Sequence, residues 1–137
     1  MILFNSENNF ELSHPETTQT WLSKAISLLG FKEGAINYIF CDDTYLLSLN
    51  QKFLNHDTLT DIISFDYSTS ELLSGDIFIS TERVSENALL FHTTFNHELH
   101  RVLIHGILHF AGYKDKTDAE KQEMRKQEDY YLSLHEF

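Results

Sequence analysis

Near its C-terminal end the chain carries His105-Gly106-Ile107-Leu108-His109-Phe110-Ala111-Gly112-Tyr113-Lys114-Asp115, a run of the form HxxxHxxGxxD. Residues four apart on a helix share a face, with Cβ atoms roughly 5–6 Å apart, so two imidazoles there can reach one ion at about 2.0–2.1 Å each. Gly112 can stop such a helix in the left-handed conformation, and the carboxylate of Asp115 follows after a short reversal. Three converging donors with a fourth position open match a catalytic metal site rather than a closed structural one. The plainer alternative is two hydrogen-bonded helix histidines and an aspartate capping a turn. Spacing, helix stop and third donor agree on the metal. Two imidazoles and a carboxylate suit zinc first, with nickel, cobalt, manganese and ferrous iron as other occupants.

Helical phase separates ligands from bystanders. At about 100° per residue, Glu98, His105 and His109 fall within roughly 40° of one another, and His97 and His100 point elsewhere. Leu99, Leu103, Ile107 and Phe110 form an apolar stripe, so the same helix belongs to the core. Glu98, two turns before His105, is a candidate acceptor for that histidine's second ring N–H, or otherwise a solvated or core-edge acid. The spacing also matches the zincin pattern HExxHxxGxxH except at two places. Gly106 stands where a metalloprotease has its glutamate base, and Asp115 where the third histidine is usual. A carboxylate is a competent zinc ligand, but peptide cleavage needs that base to handle both protons. Phosphodiester cleavage leans instead on charge stabilisation by the metal.

The elements that must position these residues follow from pattern and punctuation. Residues 1–4 read as a short strand. Residues 13–16, Ser-His-Pro-Glu, read as a capping box opening a helix that carries Trp21, Leu22, Ala25, Ile26, Leu28 and Leu29 and stops at Gly30. Residues 35–41 are β-rich. Asp42 or Asp43 can cap a second helix with Leu46, Leu47, Leu49 and Phe53 on its buried side. Strands are expected at 60–67 and 75–80 around a Ser/Thr-rich loop at 68–74, short enough for an antiparallel pair. Helix resumes near Thr81 and from 94 to 111. Thr117 and Glu120 form a capping box for a last helix with Met124, Tyr131 and Leu132 on its apolar side. Strands interleaved with helices predict an α/β (α+β) fold with a small mixed four-stranded sheet.

At 137 residues the chain is expected to be one domain, 1–137. It has no run of about 20 apolar residues and no recognisable secretory signal, and its single cysteine, Cys41, allows no internal disulfide. The expected setting is the reducing cytoplasm, without a membrane. The formal charge of −11 argues against a broad basic nucleic-acid footprint. It is uneven: residues 1–100 carry 4 Lys and Arg against 14 Asp and Glu, whereas residues 101–137 carry 6 against 7. The metal-like run sits in the less acidic part, which permits an anionic substrate.

The run resembles HGxLHLxGYDH, the signature of the YbeY-type family of bacterial rRNA-maturation endoribonucleases. Leu49-Asn50-Gln51-Lys52-Phe53 through Asp57 and Thr60-Asp61-Ile62-Ile63-Ser64-Phe65 resemble that family's LNxxYRxxDxPTDVLSF block, and Gly75-Asp76-Ile77-Phe78-Ile79-Ser80 its GDIxIS strand. The resemblance implies a zincin-like metal helix and one Zn²⁺ ion at His105, His109 and Asp115. It also implies metal-dependent endonuclease action on single-stranded RNA. The expected role is 3′-end maturation of small-subunit rRNA and ribosome quality control, with the small-subunit precursor as partner and no DNA. Thr60 and Asp61 fall on the TD block, where they either line the substrate cleft or set a turn. No general base stands out.

Two departures stand out, one at the metal and one at RNA binding. Asp115 replaces the family's third histidine, which bears on metal preference and affinity. Leu54 and Leu59 stand where the family has arginine and proline. Lys52, Arg101, Lys114 and Lys116 are the candidate replacements for that arginine, or ordinary solvated charges. Two other functions remain open at this level: a zincin-like metalloprotease, and a non-enzymatic ribosome-assembly factor stabilised by its metal.

Overall fold

The computed structural model describes residues 1–54 and 60–135, with the side chain of Leu54 outside that description. The elements run β1 Ile2–Ser6, α1 Pro15–Leu28, β2 Lys32–Cys41, α2 Asp43–Leu54, β3 Ile62–Asp66, β4 Leu72–Ser80, α3 Thr81–Leu90, α4 Phe95–Phe110 and α5 Asp118–Leu132. The four strands form one mixed sheet in the order β1-β2-β4-β3. β1, β2 and β4 are parallel, and β3 returns antiparallel on β4 with Ile63 opposite Phe78. The expected α/β class and antiparallel pair are both present.

Alternation along the strands sorts side chains between two faces. On β4, Leu73, Ile77 and Ile79 join a large core with Trp21, Leu22, Tyr38, Leu99, Leu103 and Ile107. The opposite face carries a smaller cluster of Cys41, Leu46 and Ile63, with Phe65 and Phe78 against it. The large core therefore lies between the sheet and a helical layer to which α1, α4 and α5 contribute. α4 is anchored there: the Tyr38 hydroxyl, fully buried, donates to the Leu103 carbonyl at 2.7 Å. The Trp21 indole donates to the Tyr131 carbonyl at 2.8 Å and ties α1 to α5.

Two glycines set how closely α4 lies on the sheet. A Cβ on Gly106 would come within 2.8 Å of Ile77 Cδ1, and one on Gly75 would meet the Phe65 carbonyl and the Phe110 ring. Gly75 thus leaves the groove on β4 that the last ring of α4 fills.

Several local expectations change. The Ser13–Glu16 capping box does not form. His14 is the N-cap instead, in the left-handed conformation (φ 53°), with no side-chain cap bond, and Pro15 begins the helix. Asp42 caps α2, accepting the Tyr45 N–H at 2.8 Å. Phe53 is 56% exposed rather than buried, its ring edge-on to Phe65 of the edge strand β3 and Lys52 Nζ 5.3 Å from its centroid. β4 begins at Leu72, three residues early, since Lys32 pairs with Leu72 and lengthens β2 as well. The Thr117–Glu120 capping box is present as read.

Gly75→Ala is expected to lower unfolding free energy by about 2–3 kcal/mol, because the new methyl must displace backbone on β3 or the Phe110 ring. Urea midpoints of the two proteins check this. An unchanged midpoint would contradict the close approach.

Candidate metal centre

The centre is built by α4, its terminating loop and α5. α4 starts at Thr94, whose hydroxyl accepts the His97 N–H at 3.1 Å, and its seven buried apolar side chains from Leu99 to Phe110 hold it in register on the core. That register leaves His105 and His109 partly exposed on the other side, rings 4.5 Å apart between centroids. Gly112 takes φ 106°. Its N–H reaches the His109 carbonyl, and the Tyr113 N–H reaches the Leu108 carbonyl, both at 3.0 Å, which is a Schellman closure. Two residues beyond Asp115, Thr117 caps α5 by accepting the Glu120 N–H at 3.1 Å. Asp115 is therefore pinned between one closed helix end and the next closed helix start.

Asp115 Oδ2 lies 3.3 Å from His105 Nε2 and 3.3 Å from His109 Nε2. All three donor atoms lie within 4.8 Å of one another. A tetrahedral ion with bonds of about 2.0–2.1 Å spaces its ligand atoms about 3.3 Å apart. The residues thus fit a small divalent cation, with a further coordination position open.

The second nitrogen of His105 decides its tautomer. Nδ1 lies 2.6 Å from Glu128 Oε2. Donation from Nδ1–H to that carboxylate leaves the Nε2 lone pair facing Asp115 and His109, the arrangement common to metal-bound histidines. Glu98 does not fill this role. It is buried elsewhere in the same cavity, while α5 returns across α4 and delivers Glu128. Glu128 is itself buried and held by Arg101, whose guanidinium donates to Glu128 Oε1 at 2.9 Å and to Asp129 Oδ1 at 2.8 Å. A charged residue in helical register with Met124 and Leu132 on an otherwise apolar face was the signal available in the sequence.

The donors open into a cavity of about 390 Å³. Thr60 and Asp61 line it, as do Ile62 and Ser64 of β3, Asn87 and Phe91 from the α3 end, and Glu98, Arg101 and Arg125. Burial disfavours the His105 imidazolium, but the Glu128 hydrogen bond and the charges of Glu128, Asp115 and Asp61 outweigh it and raise its pKa. His109 moves down through burial and repulsion from His105. Burial also pushes the Asp61 and Glu98 carboxyls up, with each of them next to other acids. His97 and His100 stay outside the site. His97 is exposed, and His100 is buried beside Trp21 and His135, its pKa lowered to about 4 by burial and its neighbouring histidines.

Of the cations proposed to replace the family arginine, Lys52, Lys114 and Lys116 are exposed and are not among the cavity-lining residues. Arg101 lines the cavity but is engaged by two carboxylates. Arg125, which the sequence reading passed over, also lines it. Leu59 and the side chain of Leu54 lie outside the described residues.

A family model described as Endoribonuclease YbeY matches residues 3–136. The chain belongs to this family. A relative named Endoribonuclease YbeY from Flavobacterium psychrophilum is 55% identical over 134 residues, covering 98% of this chain and 96% of the relative. Another of that name from Cytophaga hutchinsonii is 47% identical over 138 residues, covering 100% of this chain and 96% of the relative. The solution structure of a Thermotoga maritima protein aligns with a TM-score of 0.70 at 28% identity, covering 97% of this chain and 87% of that one. In this member of the family, Gly106 acquires a structural reason. It faces Ile77 and Ile62 on the sheet, so a glutamate at this position would project into the core rather than toward the donors.

Glu128→Gln is expected to weaken metal binding about 10- to 100-fold while keeping the fold. Zinc affinity by competition with a chromophoric chelator checks this. Equal affinity in the variant would remove Glu128 from the centre.

Proposed function

We propose that this chain is a metal-dependent endoribonuclease of one domain, residues 1–137, that cleaves single-stranded RNA. Its role is small-subunit rRNA 3′-end maturation and ribosome quality control in the cytoplasm, on the small-subunit precursor. Membership in the Endoribonuclease YbeY family supports the reaction class. The observation that carries the site is the convergence of His105, His109 and Asp115 inside a cavity large enough for a nucleotide.

His105, His109 and Asp115 would hold one Zn²⁺ ion on a zincin-like helix, with Glu128 fixing the His105 ring. The ion would supply polarisation of a phosphate oxygen and a water pKa lowered to about 7. Asp61 and Glu98 share the cavity, and burial raises both carboxyls, which makes them the groups to test for a part in proton transfer. Thr60 and Asp61 at the mouth of β3 would contact the substrate. Gly106 against Ile77 leaves no room for a protease-type glutamate, which ranks peptide hydrolysis lower.

The test uses purified protein and a labelled single-stranded RNA spanning the 3′ end of small-subunit rRNA. Cleavage should stop with chelator and return with zinc, and His109→Ala should lose more than about 100-fold in rate together with its metal. Undiminished cleavage by metal-free His109→Ala protein would refute the assignment.

A further inference from the structure

Leu89, Leu90 and Phe91 are three consecutive large apolar side chains at the end of α3, exposed by 71%, 68% and 54%. In a chain of net charge −11, such a run has no evident role in folding. Phe91 is the member that also lines the metal cavity.

The backbone holds Phe91 in place at a cost. The His92 N–H reaches the Leu89 carbonyl at 3.3 Å and the Thr93 N–H reaches the Ala88 carbonyl at 2.9 Å, the same Schellman closure that ends α4. Here the left-handed position is His92, with φ 55°, where the end of α4 has a glycine. A non-glycine residue in this conformation costs on the order of 1 kcal/mol. The Phe91 N–H is itself tied to the Asn87 carbonyl at 2.9 Å. A closed turn thus sets the backbone that carries this exposed ring at the wall of the cavity.

The charges around it narrow what the ring can meet. Asp61, Glu98, Asp115 and Glu128 line the cavity, and among the described lining residues the arginines are Arg101 and Arg125. Arg101 is held by Glu128 and Asp129, whereas Arg125 is 4.0 Å from Glu128 with its side chain 56% exposed. Phosphate attraction beside the metal position is therefore limited to Arg125 and to Lys121, which lines the adjoining pocket on the other side of His105 and Asp115. A neutral nucleobase meets no such electrostatic opposition, and its stacking on an aromatic ring is worth about 1–3 kcal/mol.

We propose that Phe91 is the stacking platform for a nucleobase of the single-stranded RNA whose phosphate enters the His105–His109–Asp115 centre. This rests on the RNA reading above. Stacking supplies the grip that acidic surroundings deny to charge, and the ring sets which nucleotide lies beside the scissile phosphate.

Binding of a fluorescein-labelled oligoadenylate of about ten nucleotides, shown intact by electrophoresis after each titration, tests the proposal by anisotropy on the zinc-loaded protein. Phe91→Ala should weaken binding roughly 5- to 150-fold, the range equivalent to one stacked base. Retained zinc content and melting temperature would assign the loss to contact rather than folding. Phe91→Trp should restore affinity, and its indole emission should be quenched on saturation. The slope of log affinity against log salt should be shallow, about −0.7 to −1.4, as for one or two phosphate contacts. Equal affinity of Phe91→Ala and the unaltered protein, or unchanged emission of Phe91→Trp, would overturn the stacking role and leave the RNA reading standing. Failure of the unaltered protein to bind the oligonucleotide would overturn both. Loss of ribosomal-particle binding in Phe91→Ala with undiminished oligonucleotide binding would make the patch a protein-docking surface and also overturn the proposal.

Discussion

A buried carboxylate joins the core of this protein to its chemistry. Glu128 sits on the inner side of α5 with one oxygen 2.6 Å from His105 Nδ1 and the other 2.9 Å from Arg101. An acid removed from water is costly unless it is paired and hydrogen-bonded, and these two contacts offset that cost where α5 packs on α4. The same contacts set the His105 tautomer and direct Nε2 toward Asp115. Arg101 and His105 are one turn apart on α4, so a single carboxylate clamps that turn to α5. The docking of the last helix and the geometry of the donors are thus one constraint.

A second constraint lies beneath the helix. α4 is both the most apolar helix and the carrier of the donors, which is possible because its apolar side chains pack on the core while His105 and His109 stay partly exposed. Gly106 and Gly75 bring the helix close to the sheet, with Ile77 and Phe110 filling the space a Cβ would take. His105 and His109 then stand on the far side, at the wall of the cavity. The residue between an HxxxH pair and the sheet cannot carry a functional side chain here. The glycine that removes a protease base is the glycine that lets the helix seat.

Much of this was legible in residue order, and most of the misses depend on partners distant in sequence. Gly112, Thr117 and Glu120 are local signals whose partners lie within a few residues, and they read correctly. The Ser13–Glu16 pattern has the same form, yet His14 takes the cap position in a left-handed conformation, so the match did not guarantee the geometry. Helical phase placed Glu98, His105 and His109 on one face and excluded His97 and His100. It was silent about which acid would reach His105, because Glu128 arrives from another helix 23 residues away. The early start of β4 depends on pairing with Lys32, and the exposure of Phe53 on the edge position of β3, both decided by sheet order. Phe91 carries no motif of its own, and only the fold sets it at the wall of the cavity.

The measurement that bears hardest on this picture is metal content by elemental analysis of the unaltered protein and of Asp115→Ala, both exchanged against a weak chelator. About one zinc per chain in the unaltered protein, falling several-fold in a variant that still melts cooperatively, is the expected result. Stoichiometric zinc retained by Asp115→Ala, or no divalent metal retained by the unaltered protein after zinc loading, would contradict a centre built from His105, His109 and Asp115.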